Sequence, residues 1–241
     1  MTKKKYLTII WSITLIVVVV AIIAHLTGFI GFSFGWGKSV SGEEAFGNKD
    51  IEELVVDCDI ADLDIEYGNE VKVEYNCPKK FLPKIKYESG KLSVTQHKDK
   101  EIFNLGFHSN DDYKIIVTIP DDTVVKTMDI TLDVGDLDID EVNCGDIKIR
   151  ANVGDVSIQK MEANSTDFNL DVGDFNIKNS DIKKLNITCD IGDIDIEGDY
   201  EEIDAKAEVG DIDIELDGEV DRNKIKAKCD LGDVTVNGVD W

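Results

Sequence analysis

The chain has 241 residues, of which 26 are Lys or Arg and 50 are Asp or Glu, so its formal net charge is −24. Residues 1–37 contain three Lys and no acidic residue, which leaves 23 basic against 50 acidic residues, a net charge of −27, from Lys38 onward. A surface this acidic repels nucleic acid and attracts metal ions and cationic peptides or polymers, which excludes DNA and RNA binding.

The N-terminal segment predicts a membrane anchor. Three lysines, Lys3 to Lys5, precede a stretch that contains no charged residue before Lys38. A helix from Leu7 to Ile30 would be about 36 Å long, enough to cross a bilayer. A cleaved secretory signal has a shorter apolar region and a small-residue cleavage site, so an uncleaved transmembrane helix over residues 6–30 is favoured. The lysines place residues 1–5 in the cytoplasm and the C-terminal domain outside the cell membrane.

Residues 31–50 contain five glycines and no sustained periodicity, which predicts a flexible tether. The remainder, residues 51–241, is predicted to be one extracytoplasmic domain. Its first part holds two strands within residues 56–68, a hairpin around Glu88-Ser89-Gly90 and a strand that ends at Pro120. Residues 78–112 are less regular and are predicted to cap or flank the domain.

A Gly-Asp pair then recurs six times, and its Asp residues are 19, 19, 19, 18 and 22 residues apart. A fixed period near 20 residues is typical of a solenoid. We therefore predict an all-β parallel solenoid with about 19 residues per turn and one Gly-Asp corner in each coil. The corner residues are Gly135, Asp136, Gly154, Asp155, Gly173, Asp174, Gly192, Asp193, Gly210, Asp211, Gly232 and Asp233. Ala61 and Asp62 occupy the same positions in an earlier copy.

Apolar residues alternate two, four, six and eight positions before each Asp, which predicts a strand with one buried face. The residues two positions before the Asp are accordingly expected to be buried: Val134, Val153, Val172, Ile191, Val209 and Leu231. After the Asp the apolar positions shift by one residue, which a flat strand cannot accommodate and a corner can. Glycine tolerates the left-handed backbone of such a bend, and aspartate can bond nearby backbone amides.

The segment "DYKIIVTIPDDTVVKTMDITLDVGDLDID" at residues 112–140, with the reiterated Gly-Asp units that follow it, resembles the bacterial putative-adhesin, β-strand-repeat family of unknown function. The resemblance covers about residues 51–241. It implies a right-handed, β-helix-like solenoid, and some relatives lie beside regulators of the cell-envelope stress response. The family has no established catalytic residues to carry over.

If the coils stack, equivalent residues of successive coils line up, and two acidic columns are expected. One consists of the corner aspartates, and the other consists of the residues three positions before them. The second column consists of Asp133, Asn152, Asp171, Asp190, Glu208 and Asp230. Carboxylate oxygens suit Ca²⁺. The favoured explanation is structural: corner aspartates bond backbone amides, and the second column is solvated beside Arg150, Lys206 and Lys228.

One local exception is residues 193–204, which imitate an EF-hand loop through Asp193, Asp195, Asp199 and Glu201. These four are the metal candidates. The loop carries Asp204 where an EF-hand has Glu, and no helix is predicted beside it. No cofactor is predicted.

The cysteines and histidines give no catalytic signature. The five cysteines are an odd number for an exported chain, which is compatible with disulfides and a free thiol. However, Cys58, Cys189 and Cys229 share the inward position four residues before the Asp, where a small apolar side chain is needed. His97 and His108 are the histidines outside the predicted anchor, and no nucleophile motif accompanies them.

We therefore predict a non-enzymatic interaction or scaffold module, adhesin-like or accessory to the envelope stress response, whose partner is an envelope protein or polysaccharide. Two alternatives stay open. A carbohydrate-active β-helix enzyme would need a groove whose carboxylates depart from the column pattern. An acidic sink for cations or cationic peptides would capture polycations in a salt-dependent way.

Overall fold

In the computed structural model, the described residues are 39–97, 113–121, 123–218 and 221–241. They form strands throughout, apart from loops and one 3-10 turn at Lys79–Phe81. The strands in chain order are β1 Ser39–Gly47, β2 Glu53–Cys58, β3 Asp62–Gly68, β4 Val71–Pro78, β5 Lys84–Glu88, β6 Lys91–Gln96, β7 Lys114–Pro120, β8 Val124–Val134, β9 Leu137–Ile139, β10 Val142–Val153, β11 Val156–Ile158, β12 Met161–Val172, β13 Phe175–Ile191, β14 Ile194–Val209, β15 Ile212–Leu216, β16 Ile225–Leu231, β17 Val234–Val236 and β18 Val239–Asp240.

The predicted parallel β-solenoid is confirmed. Each coil has a long strand before its Gly-Asp corner and a short strand after it, and equivalent strands of successive coils pair in parallel. In β13 and β14 the short strand of one coil continues directly into the long strand of the next. Register partners share the same role in every coil, as in the buried column Ile130, Ile149, Phe168, Ile187, Ala205 and its partly buried last member Ala227.

The coils do not stack in chain order at the N-terminal end of the domain. Strand β2 pairs with β8 on one side and with the later strand β6 on the other. Strand β3 likewise lies between β9 and β7. The coil formed by β2 and β3 is therefore interior to the stack, and β6 and β7 form the coil outside it.

Antiparallel strands finish this end of the stack. Strand β5 pairs with β6 through the hairpin expected at Ser89-Gly90, and β4 pairs with β7. Part of the predicted tether, residues 39–47, is instead strand β1, which pairs with β4. Strand β1 is largely exposed, so it lacks the alternating pattern that identifies a half-buried strand.

The core fills the space between the two faces of the coil with branched aliphatic side chains and a few aromatics. Phe168 and Phe175 pack with their ring centroids 5.2 Å apart. At the C-terminal end, Trp241 packs against the core, and the Arg222 guanidinium lies 4.6 Å from its ring centroid. No helix long and apolar enough to span a bilayer occurs in the described ranges, and the predicted anchor at residues 6–30 lies outside them.

Replacing Gly173 by Ala should lower the free energy of unfolding by about 2–4 kcal/mol. Gly173 has φ 146°, and a Cβ on it would lie 2.0 Å from the carbonyl oxygen of Gly154 in the previous coil. Gly218→Ala is the matched control, because a Cβ at Gly218 meets no atom within 4 Å. Urea denaturation of the two variants should separate them clearly, and equal midpoints would refute the close-packed corner.

Candidate functional site: the Gly-Asp edge

The Gly-Asp corners form one continuous edge of the solenoid. Their six glycines have φ between 140° and 155°, a region that L side chains rarely adopt. At each of the last five corners a Cβ would lie 1.9–2.1 Å from the carbonyl oxygen of the glycine in the previous coil, and at Gly135 it would lie 2.1 Å from that of Ala61. Glycine is thus required by backbone conformation and by close stacking. Ala61 itself lies outside the positive-φ region, which explains why this copy can carry alanine.

The corner aspartates form a ladder of hydrogen bonds along the edge. In each coil from Asp62 to Asp211, the Oδ1 atom of the corner Asp accepts a hydrogen bond from the backbone amide of the Asp in the next coil, at 2.8–3.1 Å. Backbone bonds run the opposite way, since the Gly173 amide donates to the Ile191 carbonyl at 3.0 Å. Each corner is therefore tied to both neighbouring coils.

Replacing Asp174 by Ala should cost about 1–2 kcal/mol, because the Asp193 amide then loses a charged acceptor 2.9 Å away. Asp174→Asn keeps an acceptor oxygen and should remain close to the wild type. Asp171→Ala is the control, since the Asp171 side chain is exposed and forms no hydrogen bond with any side chain or backbone group in the described part of the chain. If Asp174→Ala proves as stable as Asp171→Ala in chemical denaturation, the ladder contributes nothing.

The residues two positions before each corner Asp were predicted to be buried, and that prediction is wrong. Their side chains point outward, with exposures of 40% for Val134, 48% for Val153, 44% for Val172, 52% for Ile191, 43% for Val209 and 70% for Leu231. The residue four positions before the Asp is the last one before the corner whose side chain points inward. The alternation stops there, so the whole bend lies outside the core. Each of these six residues is the register partner of its equivalent in the next coil, and together they form what we call the aliphatic column.

The second acidic column directly precedes the aliphatic column, and its members are exposed. Neither Arg150 nor Lys206 neutralises it as expected, because they pair with Asp129 and Asp204 instead. Lys228 does pair with Asp230. Within the described residues Asp171, Asp190 and Glu208 form no ion pair, so the middle of this column keeps its negative charge.

The four metal candidates are not brought together. Asp193 belongs to the ladder and accepts the Asp211 amide at 2.8 Å. Asp195 faces outward beside Asp213 of the next coil, whereas Asp199 is the register partner of Asp181. Glu201 is exposed further along β14. Among the described residues, no three His, Cys, Asp or Glu side chains are grouped so that they could hold a metal ion.

His97 lies between two carboxylates, with Nδ1 3.1 Å from Asp59 and Nε2 3.2 Å from Asp57. The hydrogen bond to Asp59 raises the pKa of His97, which favours the imidazolium and opposes a role as general base. His108 lies outside the described residues.

The cysteines are free thiols, and four of them are buried. Burial raises the pKa of Cys144 to about 12 and those of Cys77 and Cys189 to about 11. A buried, protonated thiol is a poor nucleophile and a poor metal ligand. Their position as core side chains is therefore sufficient to explain them.

A surface cavity of about 470 Å³ lies at a different place on the coil, lined by Tyr67, Asp121, Glu141, Val142, Asn143, Lys160 and Glu162. Its polar groups are largely paired with one another. Lys160 Nζ lies 2.6 Å from Glu141, and Asn143 Nδ2 donates to Glu162 at 3.3 Å. Tyr67 Oη accepts the Asn143 amide at 2.9 Å.

Comparison with known proteins agrees with this architecture. The family model of Toastrack DUF4097 matches residues 51–240. The chain belongs to the Toastrack DUF4097 family. The family resemblance seen in the sequence is thereby confirmed, whereas no curated protein matches the chain.

Two solved structures share the fold of this Toastrack chain. A "putative adhesin" from Bacteroides fragilis is 17% identical, with a TM-score of 0.51, and the alignment covers 83% of this chain and 97% of that one. A "putative cell adhesion protein" from Clostridium sporogenes is 14% identical, with a TM-score of 0.52, covering 83% and 99%. At these identities the likeness concerns the fold alone.

The pKa values of two aspartates on the outer faces of the Toastrack domain are shifted in opposite directions by their neighbours. Burial, followed by repulsion from Asp213 and Asp193, raises the pKa of Asp195 above its ordinary 3.8. A hydrogen bond from Lys148 lowers the pKa of Asp167, and their charged atoms are 3.0 Å apart. Asp195 therefore destabilises the fold when it is ionised, and Asp167 stabilises it.

Asp195→Asn should raise the melting temperature at pH 7. The native state binds the Asp195 proton more tightly than the unfolded chain does, so this gain should shrink as the pH falls through the raised pKa toward 3.8. Asp167→Asn should lower the melting temperature at pH 7, and its deficit should disappear only below pH 3.8, where Asp167 itself becomes protonated. Thermal melts from pH 7 to pH 3 test both, and equal shifts of the same sign would contradict the assignment.

Proposed function

We propose that this Toastrack protein is a membrane-anchored, extracytoplasmic interaction module of the bacterial envelope, adhesin-like or accessory to the envelope stress response, rather than an enzyme. One observation carries the proposal: the exposed Gly-Asp edge repeats the same side-chain chemistry from coil to coil. A repeated edge offers many equivalent contacts to an extended partner. Catalysis instead requires a few groups in distinct environments that converge on one point.

If the protein were a carbohydrate-active enzyme, the cavity beside Tyr67 would be the best candidate for its active site. A glycosidase needs one carboxylic acid and one carboxylate flanking the bond that is cleaved. Glu141 pairs with Lys160, and Glu162 accepts a hydrogen bond from Asn143, so two of the three carboxylates that line the cavity are already engaged. The cavity therefore favours binding over hydrolysis.

The uneven charge of the chain supports the anchoring part of the proposal. Lysines flank the apolar stretch at residues 6–30 on its short side, and the domain beyond it is strongly acidic. In this arrangement the Toastrack domain faces partners outside the cell membrane. An exported acidic solenoid would meet cationic or polar envelope components first.

In intact cells, external protease should therefore remove an epitope tag placed after Trp241. Deletion of residues 6–30 should move the protein from the membrane fraction to the soluble fraction. A tag at the N-terminus is the internal control and should stay protected. A protected C-terminal tag in intact cells, with digestion only after lysis, would contradict the proposed topology.

The full-length protein should also retain a component of its native envelope without converting it chemically. Retention should survive Glu141→Gln and Glu162→Gln, which remove two of the three carboxylates that line the cavity. Incubation with purified envelope polysaccharide should release no new reducing ends. Release of reducing ends that these two substitutions abolish would favour the enzyme.

A further inference from the structure

We infer that the aliphatic column and its acidic flanks form a docking surface for a cationic, amphipathic α-helix of a partner. The inference rests on the interaction role proposed above and gives that role a site and a partner chemistry. The column is the row Val134, Val153, Val172, Ile191, Val209 and Leu231, defined by direct register pairing across six coils.

Exposure of this row is unusual within the domain. Nine large hydrophobic side chains are exposed in the described residues, and six of them belong to the column. Scattered exposed apolar residues are normal, whereas a contiguous exposed apolar patch usually marks an interaction site. Leu231, the most exposed member at 70%, continues the row at the last corner.

The charge beside the column selects a cationic partner. Each column residue lies between the acidic column on one side and the corner aspartates on the other. Asp171, Asp190 and Glu208 have no ion-pair partner among the described residues, and the ladder uses only one oxygen of each corner carboxylate. Lys or Arg side chains can lay their apolar stems along the aliphatic row and place their charges beside these acids. A second copy of this acidic edge, or an anionic lipid surface, would be repelled.

The spacing selects a helix over an extended strand. Neighbouring column residues are about 4.8 Å apart, so the five steps of the row span about 24 Å. Apolar residues on one face of an α-helix recur every 3.5 residues on average, or about 5.3 Å, and span about 26 Å in five steps. Same-face residues of an extended strand are about 6.7 Å apart and lose register after two or three coils. A helix of about 18 residues can therefore contact the whole row.

The probe is a fluorescent 18-residue peptide with Leu at positions 1, 4, 8, 11, 15 and 18 and Lys at most others. The full-length protein is held in phosphatidylcholine nanodiscs, and binding is followed by fluorescence anisotropy, with empty nanodiscs as the background. The helical peptide should bind more tightly than a peptide of the same composition whose six Leu occupy every second position of one segment, as on one face of a strand. A peptide with Glu in place of Lys should not bind.

The decisive variant is Val153→Thr, Val172→Thr and Val209→Thr together. Threonine keeps the β-branched shape, so the melting temperature should be unchanged while Kd rises about tenfold or more. Val124→Thr with Val239→Thr is the matched control, since these valines are 57% and 60% exposed outside the column. Asp171→Asn, Asp190→Asn and Glu208→Gln together should weaken binding at low salt and reduce its dependence on NaCl.

Equal affinity of the triple Thr variant and the wild type, or equal binding of the alternating peptide, would overturn the docking proposal. So would a wild-type dimer that the Thr substitutions dissociate, because a second copy would then occupy the column. If the triple Thr variant retains the native envelope component as well as the wild type does, the docking surface is wrong and the interaction role stands. If neither protein retains any component but the peptide result holds, the docking surface stands and the interaction role fails.

Discussion

The fold depends on how closely consecutive coils approach at the Gly-Asp edge. A side chain as small as a methyl group at Gly192 would lie 1.9 Å from the Gly173 carbonyl oxygen. With glycine there, the chain can turn through a left-handed conformation at the corner while both flanking strands stay in register with the neighbouring coil. Parallel strands on both faces, and the apolar interior between them, are possible because the corner is this narrow.

The aspartate that follows each glycine solves the hydrogen-bonding problem that the corner creates. A backbone amide at a bend has no ladder partner of its own, and an unpaired amide is costly when it is shielded from water. The Oδ1 atom from the previous coil supplies that partner. The same device stacks carboxylates along one edge, and their mutual repulsion is the cost of using it in every coil. Outside the ladder, burial, followed by repulsion from Asp213 and Asp193, raises the pKa of Asp195.

Stacking also turns a local bend into an extended surface. Because the bend occupies four residues, the aliphatic residue before each glycine is carried out of the core with the acid that precedes it. One such residue would have no functional meaning. Six in register make a row of exposed methyl groups between acids, which distinguishes this edge from the rest of the described surface.

The sequence by itself determined the repeat, the solenoid and the corner, because a fixed period and a shift of alternation are local signals along the chain. It identified Cys58, Ala61 and Asp62 as an earlier copy for the same reason. The sequence wrongly predicted that Val153 and its equivalents are buried. The residues four positions before and one position after each Asp except the last are both buried, and the shift of alternation between them does not show where the bend begins. It also read residues 39–47 as a tether, because an exposed edge strand carries no alternating pattern.

Only the tertiary structure decided the order of the coils, the pairing of Arg150 and Lys206 away from the acidic column, and the outward aliphatic row. The coil order and the pairing of Arg150 with Asp129 depend on which coil lies beside which. Lys206 instead pairs with Asp204 on its own strand, and the aliphatic row depends on where the bend begins. Strand β2, for example, lies between β6 and β8, although β6 follows it by more than thirty residues. Pairing between distant segments leaves no periodic trace in the sequence, so the structure alone supplies it.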